Sequence, residues 1–188
     1  MAKKKENLSS SEEIIENKWL VNFKRGKFDN CLGFVLAVNE KFTLINNFDF
    51  DTIGATGFKV FENKSVKDYE LYDDPNSFDA LLLKIKNVEP KEKPPVSIDS
   101  MADLLKTASE IFPLVVIHRE KIASDVCWIG KIAEIKKKSF LLKSIDPNAE
   151  WDEELTKVSF KDVTCIEFGN GYENSLNLVA EYRERRKP

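Results

Sequence analysis

Histidine occurs once in the 188-residue chain, at His118. Any Ser–His–Asp or Cys–His catalytic set would therefore have to be built on it, since histidine is the usual general base. The cysteines are Cys31, Cys127 and Cys165, and the last two could reach His118 if neighbouring strands bring them together. No nucleophile motif accompanies the histidine. The simpler reading is a strand histidine, between Ile117 and Arg119, that faces solvent or a neighbouring side chain, and no catalytic residue is assigned. One histidine and three unclustered cysteines also argue against a structural zinc site. The Gly-Asn-Gly at 169–171 is too short to cradle a phosphate, and no cofactor is expected.

The most distinctive peptide is DPNAEWDEE, Asp146 to Glu154, in which carboxylates flank Trp151 on both sides. As a cation site it lacks the ligand spacing of an EF-hand loop. As a contact surface, Trp151 with Glu150, Asp152 and Glu153 offers an aromatic anchor in an acidic rim, which suits a basic protein partner. As structure, Asp146-Pro147 starts a turn and Trp151 covers the open end of its own fold. Both the structural and the partner-contact readings are carried forward, and the four residues are the candidate binding site.

Composition narrows the class. Apolar residues make up 42% and charged residues 32%, the balance of a folded chain rather than a disordered one. The 13 phenylalanines suit strands with aromatic cross-strand pairs. A net charge of −3 makes nucleic acid an unfavoured partner, because basic residues cluster only near the ends, at Lys3 to Lys5 and Arg183 to Lys187. The opening MAKKKENLSSSEEIIE has no apolar core of a signal peptide, and no run approaches the roughly 18 apolar residues of a membrane span. An odd cysteine count without CxxC points to a reducing cytoplasm, with the cysteines as small buried hydrophobes. Nothing in the composition indicates an oligomeric state.

These residues must be positioned by short strands. Runs at 19–24, 32–38, 42–48, 58–61 and 66–72 read as strands after a helix capped by Ser9 to Ser11, with Gly54 and Gly57 in a loop. The stretch 78–88 is open between helix and strand, because Leu83-Lys84-Ile85-Lys86 alternates. VEPKEKPP is the clearest linker. Beyond it the plan recurs: a helix around Met101, Leu104, Leu105 and Ala108, strands at 114–119, 127–135, 139–145, 155–160 and 164–168, then a helix from 172 to 186. A shift of 97 positions lays Gly33 on Gly130, Leu44 on Leu141, Asp49 on Asp146, Val66 on Val163 and Glu70 on Glu167, with no gap from Trp19 to Leu71. The expectation is a duplication: residues 9–88 and 97–186, mainly β with flanking helices.

A helix followed by five short, bent strands resembles the Sm-like barrel, a relative of SH3-like barrels. In GKIAEIKKKSFLL, Gly130 stands where that family keeps a glycine for a hard bend, and Ile132, Ile135, Phe140 and Leu142 where it keeps apolar residues. GFVLAVNEKFTLI is the fainter copy, through Gly33, Val35, Val38 and Leu44. The resemblance implies two tandem five-stranded barrels, each preceded by a short helix, and the second half is similar to uncharacterised bacterial proteins. The RNA site does not carry over. The turn that bears Asp and Asn in RNA-binding members reads KKKS at 136–139 and NEKF at 39–42, and DVTCI at 162–166 has no arginine. The expected function is a non-enzymatic protein-interaction module, with single-stranded nucleic-acid binding through Lys136 to Lys138 as the alternative.

Overall fold

The computed structural model describes residues 11–186. It is mainly β with four helices, in two compact units, one ending at Pro94 and the other beginning at Pro95. The first contains α1 (Ser11–Glu16), β1 (Leu20–Lys24), β2 (Cys31–Val38), β3 (Phe42–Asp49), β4 (Gly54–Glu62), β5 (Asp68–Tyr72) and α2 (Phe78–Ile85). The second contains α3 (Met101–Ile111), β6 (Val115–His118), β7 (Cys127–Ile135), β8 (Ser139–Ser144), β9 (Thr156–Ser159), β10 (Cys165–Phe168) and α4 (Gly171–Glu184). The N-terminal cap expected at Ser9 and Ser10 lies outside the described residues.

Within the first unit the strand order is β5-β1-β2-β3-β4, and within the second β10-β6-β7-β8-β9. Every pairing described inside a unit is antiparallel. In neither unit do the two end strands hydrogen-bond to each other, so each is an open five-stranded sheet rather than a ladder closed on itself.

The repeat reaches the level of single hydrogen bonds. Gly33 pairs with Asn47 and Gly130 with Ser144, and the ladder is interrupted by a bulge between Val35 and Ala37 and again between Ile132 and Glu134. A bulge adds an unpaired residue and increases local twist. A 3-10 turn follows the fourth strand at Asn63–Ser65 and at Phe160–Asp162. Asp49 accepts from the Asp51 amide at 2.8 Å, and Asp146 from the Asn148 amide at 2.9 Å.

The gapless register fails at the first strand. Val21 lies opposite Gly33 whereas Val115 lies opposite Gly130, a shift of 94 rather than 97. The second unit holds three extra residues between its first and second strands. In the corrected register Leu20, Val21 and Arg25 fall on Leu114, Val115 and Arg119, identities that the gapless alignment hides.

Two local readings also change. Gly54 and Gly57 belong to β4, because β3 and β4 stay paired to the Asp49–Gly54 end, with Ile53 at φ +49° in the turn. The stretch after Ser77 is a helix: the Ser77 hydroxyl accepts from the Ala80 amide at 3.2 Å, so capping outweighs the local alternation. Part of the expected linker belongs to the first unit. The Lys91 amide donates to the buried Asn46 carboxamide at 2.8 Å, whose nitrogen donates to the Gly57 carbonyl at 2.7 Å.

A Cβ on Gly33 would collide with the Asn46 carbonyl, and one on Gly130 with that of Lys143. Gly33→Ala and Gly130→Ala are each expected to cost roughly 1–3 kcal/mol through forced strand separation. Denaturant melts of the two variants measure this, and an unchanged midpoint for either removes the close approach as the cause of the bend.

Candidate functional site

The acidic loop is built by its own first residue. The Asp146 carboxylate accepts from the amides of Asn148 and Glu150, at 2.9 and 2.8 Å, which winds the chain around it and puts Ala149 at φ +60°. The Glu150 amide above all, with Asn148 and the nearby Arg183 charge, holds that carboxyl below the usual carboxylate range. The turn returns the chain to β8: Ile145 and Trp151 form an antiparallel bridge, and the Asp152 amide donates to the Ser144 carbonyl at 3.0 Å.

Trp151 is thereby pressed onto a buried cluster of Leu114, Ile145, Ala149, Leu176 and Ala180. Its ring also lies 4.6 Å below the Lys131 ammonium, and its Nε1 is buried without a hydrogen-bond acceptor. Of its acidic neighbours, Glu150 lies 3.4 Å from Arg183 of α4, which also donates to the Asn148 carbonyl. Asp152 and Glu153 remain exposed. Part of the basic complement to this loop is thus supplied by the chain's own last helix.

His118 stands in a row across three strands, directly opposite Cys165 on β10 and Cys127 on β7. Its Nε2 is 2.8 Å from Glu167 Oε1, an ion pair when the imidazole is protonated. The repeat has the same device in the first unit, where Lys24 Nζ lies 3.9 Å from Glu70 on the equivalent strands. The two matched glutamates therefore meet basic residues of their own unit. Cys31 and Cys165 are buried as expected, but Cys127 is exposed, because it opens the second strand at the end of a longer loop. Desolvation of its sulfur, and then the Glu167 carboxylate, push the Cys127 thiol up, the opposite of what a nucleophile needs. Among the described residues no three His, Cys, Asp or Glu side chains converge to hold a metal.

Two surfaces escaped sequence reasoning because both depend on α2 being a helix. Phe78, Leu81 and Ile85 recur at helical spacing on its exposed face. On its other side α2 borders a cleft whose walls include Leu20, Phe34 and Tyr72. Burial, followed by the charges of Glu70 and Asp79, pushes the Tyr72 phenol up, so it stays protonated at neutral pH.

Compared with known protein families, curated proteins and solved structures, the chain matches none.

Two expectations follow. Trp151→Ala should cost about 2–3 kcal/mol, below the range for a fully buried tryptophan because the residue keeps a minor part of its surface exposed. A variant retaining Trp151 as its one tryptophan should show blue-shifted, quencher-protected fluorescence, and a red, freely quenched signal would contradict the packing role. Cys127 should be the one cysteine labelled in the folded protein, slowly at neutral pH because its thiolate fraction is small. Glu167→Gln should speed that labelling by removing a repelling charge, and an unchanged rate would remove Glu167 as a cause.

Proposed function

We propose that the protein is a non-enzymatic, cytoplasmic protein-interaction module made of two small Sm-like or SH3-like barrel units. The barrel reading is supported by the shared strand order, the glycine-and-bulge bend in each second strand and the 3-10 turn before each fifth strand. The non-enzymatic reading is supported by the raised thiol of Cys127, the one exposed cysteine beside the single histidine. The cytoplasmic placement rests on the odd count of three cysteines and the absence of a CxxC motif.

The observation that carries protein binding is the outward stripe of α2. Phe78 is 76% exposed, Leu81 44% and Ile85 79%, one apolar row at i, i+3 and i+7. Scattered apolar side chains are ordinary on a surface, but a contiguous row is a mark of a contact site. The acidic edge at Glu150, Asp152 and Glu153, backed by Trp151, is the second surface, suited to a basic partner. Among the described residues no helix is long and apolar enough to cross a membrane, so the stripe is not part of a spanning helix.

A photo-crosslinking residue at position 81, introduced in living cells, tests the reading. The expected result is a discrete protein adduct that disappears in Phe78→Asp/Ile85→Asp while the melting temperature stays unchanged. A nuclease-sensitive adduct, or binding that falls steeply with salt, would replace this reading with the nucleic-acid one. No adduct at all would remove the stripe as a docking surface.

A further inference from the structure

The two units carry the same sheet face under different roofs. In the second unit α4 buries Leu176 and Ala180 against Leu114 and Ile145. In the first unit the equivalent residues, Leu20 and Phe48, belong to a cluster that α2 borders through Leu83. Yet α2 is eight residues long and buries none of its own side chains. A cleft of about 290 Å³ remains beside it. The repeat thus holds its own control: the fold permits this face to be sealed, and only the first unit leaves it open.

The chemistry of the cleft is specific. Its lining is mixed: Trp19, Leu20, Phe34, Tyr72, Leu83 and Val88 supply an apolar part, and Asn17 and Asn87 are among the polar residues beside it. Its volume is at the small end for ligand sites, enough for one ring or a short alkyl chain. Three charged side chains line it, Lys18, Lys84 and Glu89. Lys18 and Glu89 are 2.6 Å apart and neutralise each other. Lys84 has no ion-pair or hydrogen-bond partner for its ammonium among the described residues, which leaves one uncompensated positive charge on an apolar wall. Glu70 and Asp79 bear on the Tyr72 end, so an anion is favoured only toward Lys84. A cleft whose apolar part adjoins one placed charge favours an amphipathic ligand of opposite sign.

We propose that this cleft binds a small apolar monocarboxylic acid, its ring or alkyl group against Phe34, Tyr72 and Leu83 and its carboxylate on Lys84. The site is separate from the outward stripe of α2, so its failure and that of the protein-docking reading are distinguishable.

The test is a titration of the isotopically labelled full chain with phenylpropionate, followed by amide chemical shifts, with phenylpropanol as the uncharged control. The expected result is saturable shifts centred on Leu83, Lys84 and Val88. Lys84→Gln, an exposed change that spares the fold, should weaken phenylpropionate about three- to five-fold and leave phenylpropanol unaffected. Ala80→Leu, which adds bulk to the lining, should abolish binding of both compounds. Equal affinity for the acid and the alcohol, an unchanged affinity in Lys84→Gln, or shifts centred elsewhere would each overturn the proposal.

Discussion

At Gly33 and Gly130 the second strand of each unit passes so close to the third that the Asn46 and Lys143 carbonyls occupy the space of a side chain. Two residues further on, a bulge interrupts the same ladder in both units. The glycine permits backbone approach and the bulge adds twist, so each strand bends in one direction at one place. The bend sets which residues face inward and which form the outer face under a helix. Phe23 and Phe61 meet at 5.1 Å between ring centroids in the first unit, and Phe140 stacks on Phe160 at 6.0 Å in the second.

With the sheets alike, the difference between the units lies in what covers them. The second unit has a 14-residue helix, α4, and an acidic loop that swings Trp151 back over its own outer face. Arg183 joins the two by holding the loop backbone at Asn148. The first unit has the shorter α2, and between Asp49 and Gly54 only a tight turn where the second has the loop. Phe34 stands there at the position of Lys131, an apolar wall in place of the cation that sits on Trp151. One duplicated sheet therefore carries a sealed face and a face with a cleft.

The ionisable residues most suggestive of chemistry are accounted for by the same repeat. His118 occupies the position of Lys24, and each faces the matched glutamate of its own fifth strand. Across the Lys24–Glu70 pair, opposite charges on neighbouring strands contribute at most some tenths of a kcal/mol. His118 and Lys24 thus stand at matched positions, each beside a glutamate of its own unit, and the Cys127 thiol next to His118 is pushed up.

Much of this architecture was legible in the residues because it rests on local signals. Alternating apolar runs, the Gly33 and Gly130 match and the aspartates at 49 and 146 foretold the strands, the bend and the turns, since each acts through neighbours in sequence or through one backbone contact. The three-residue insertion before Cys127 was hidden: a gapless shift matches β2 onward well enough to mask the loss of Leu20, Val21 and Arg25. The stretch after Ser77 was undecided because helical capping and strand-like alternation coexist there, and in the folded chain the Ser77 cap prevails. That selection created both the exposed stripe and the cleft, which join α2 to strands some fifty residues earlier. The burial of Trp151 was likewise a tertiary decision. Its acidic neighbours place the loop at the surface, but the side of the loop that faces the core depends on Asp146 winding it and on Arg183 of a distant helix holding it.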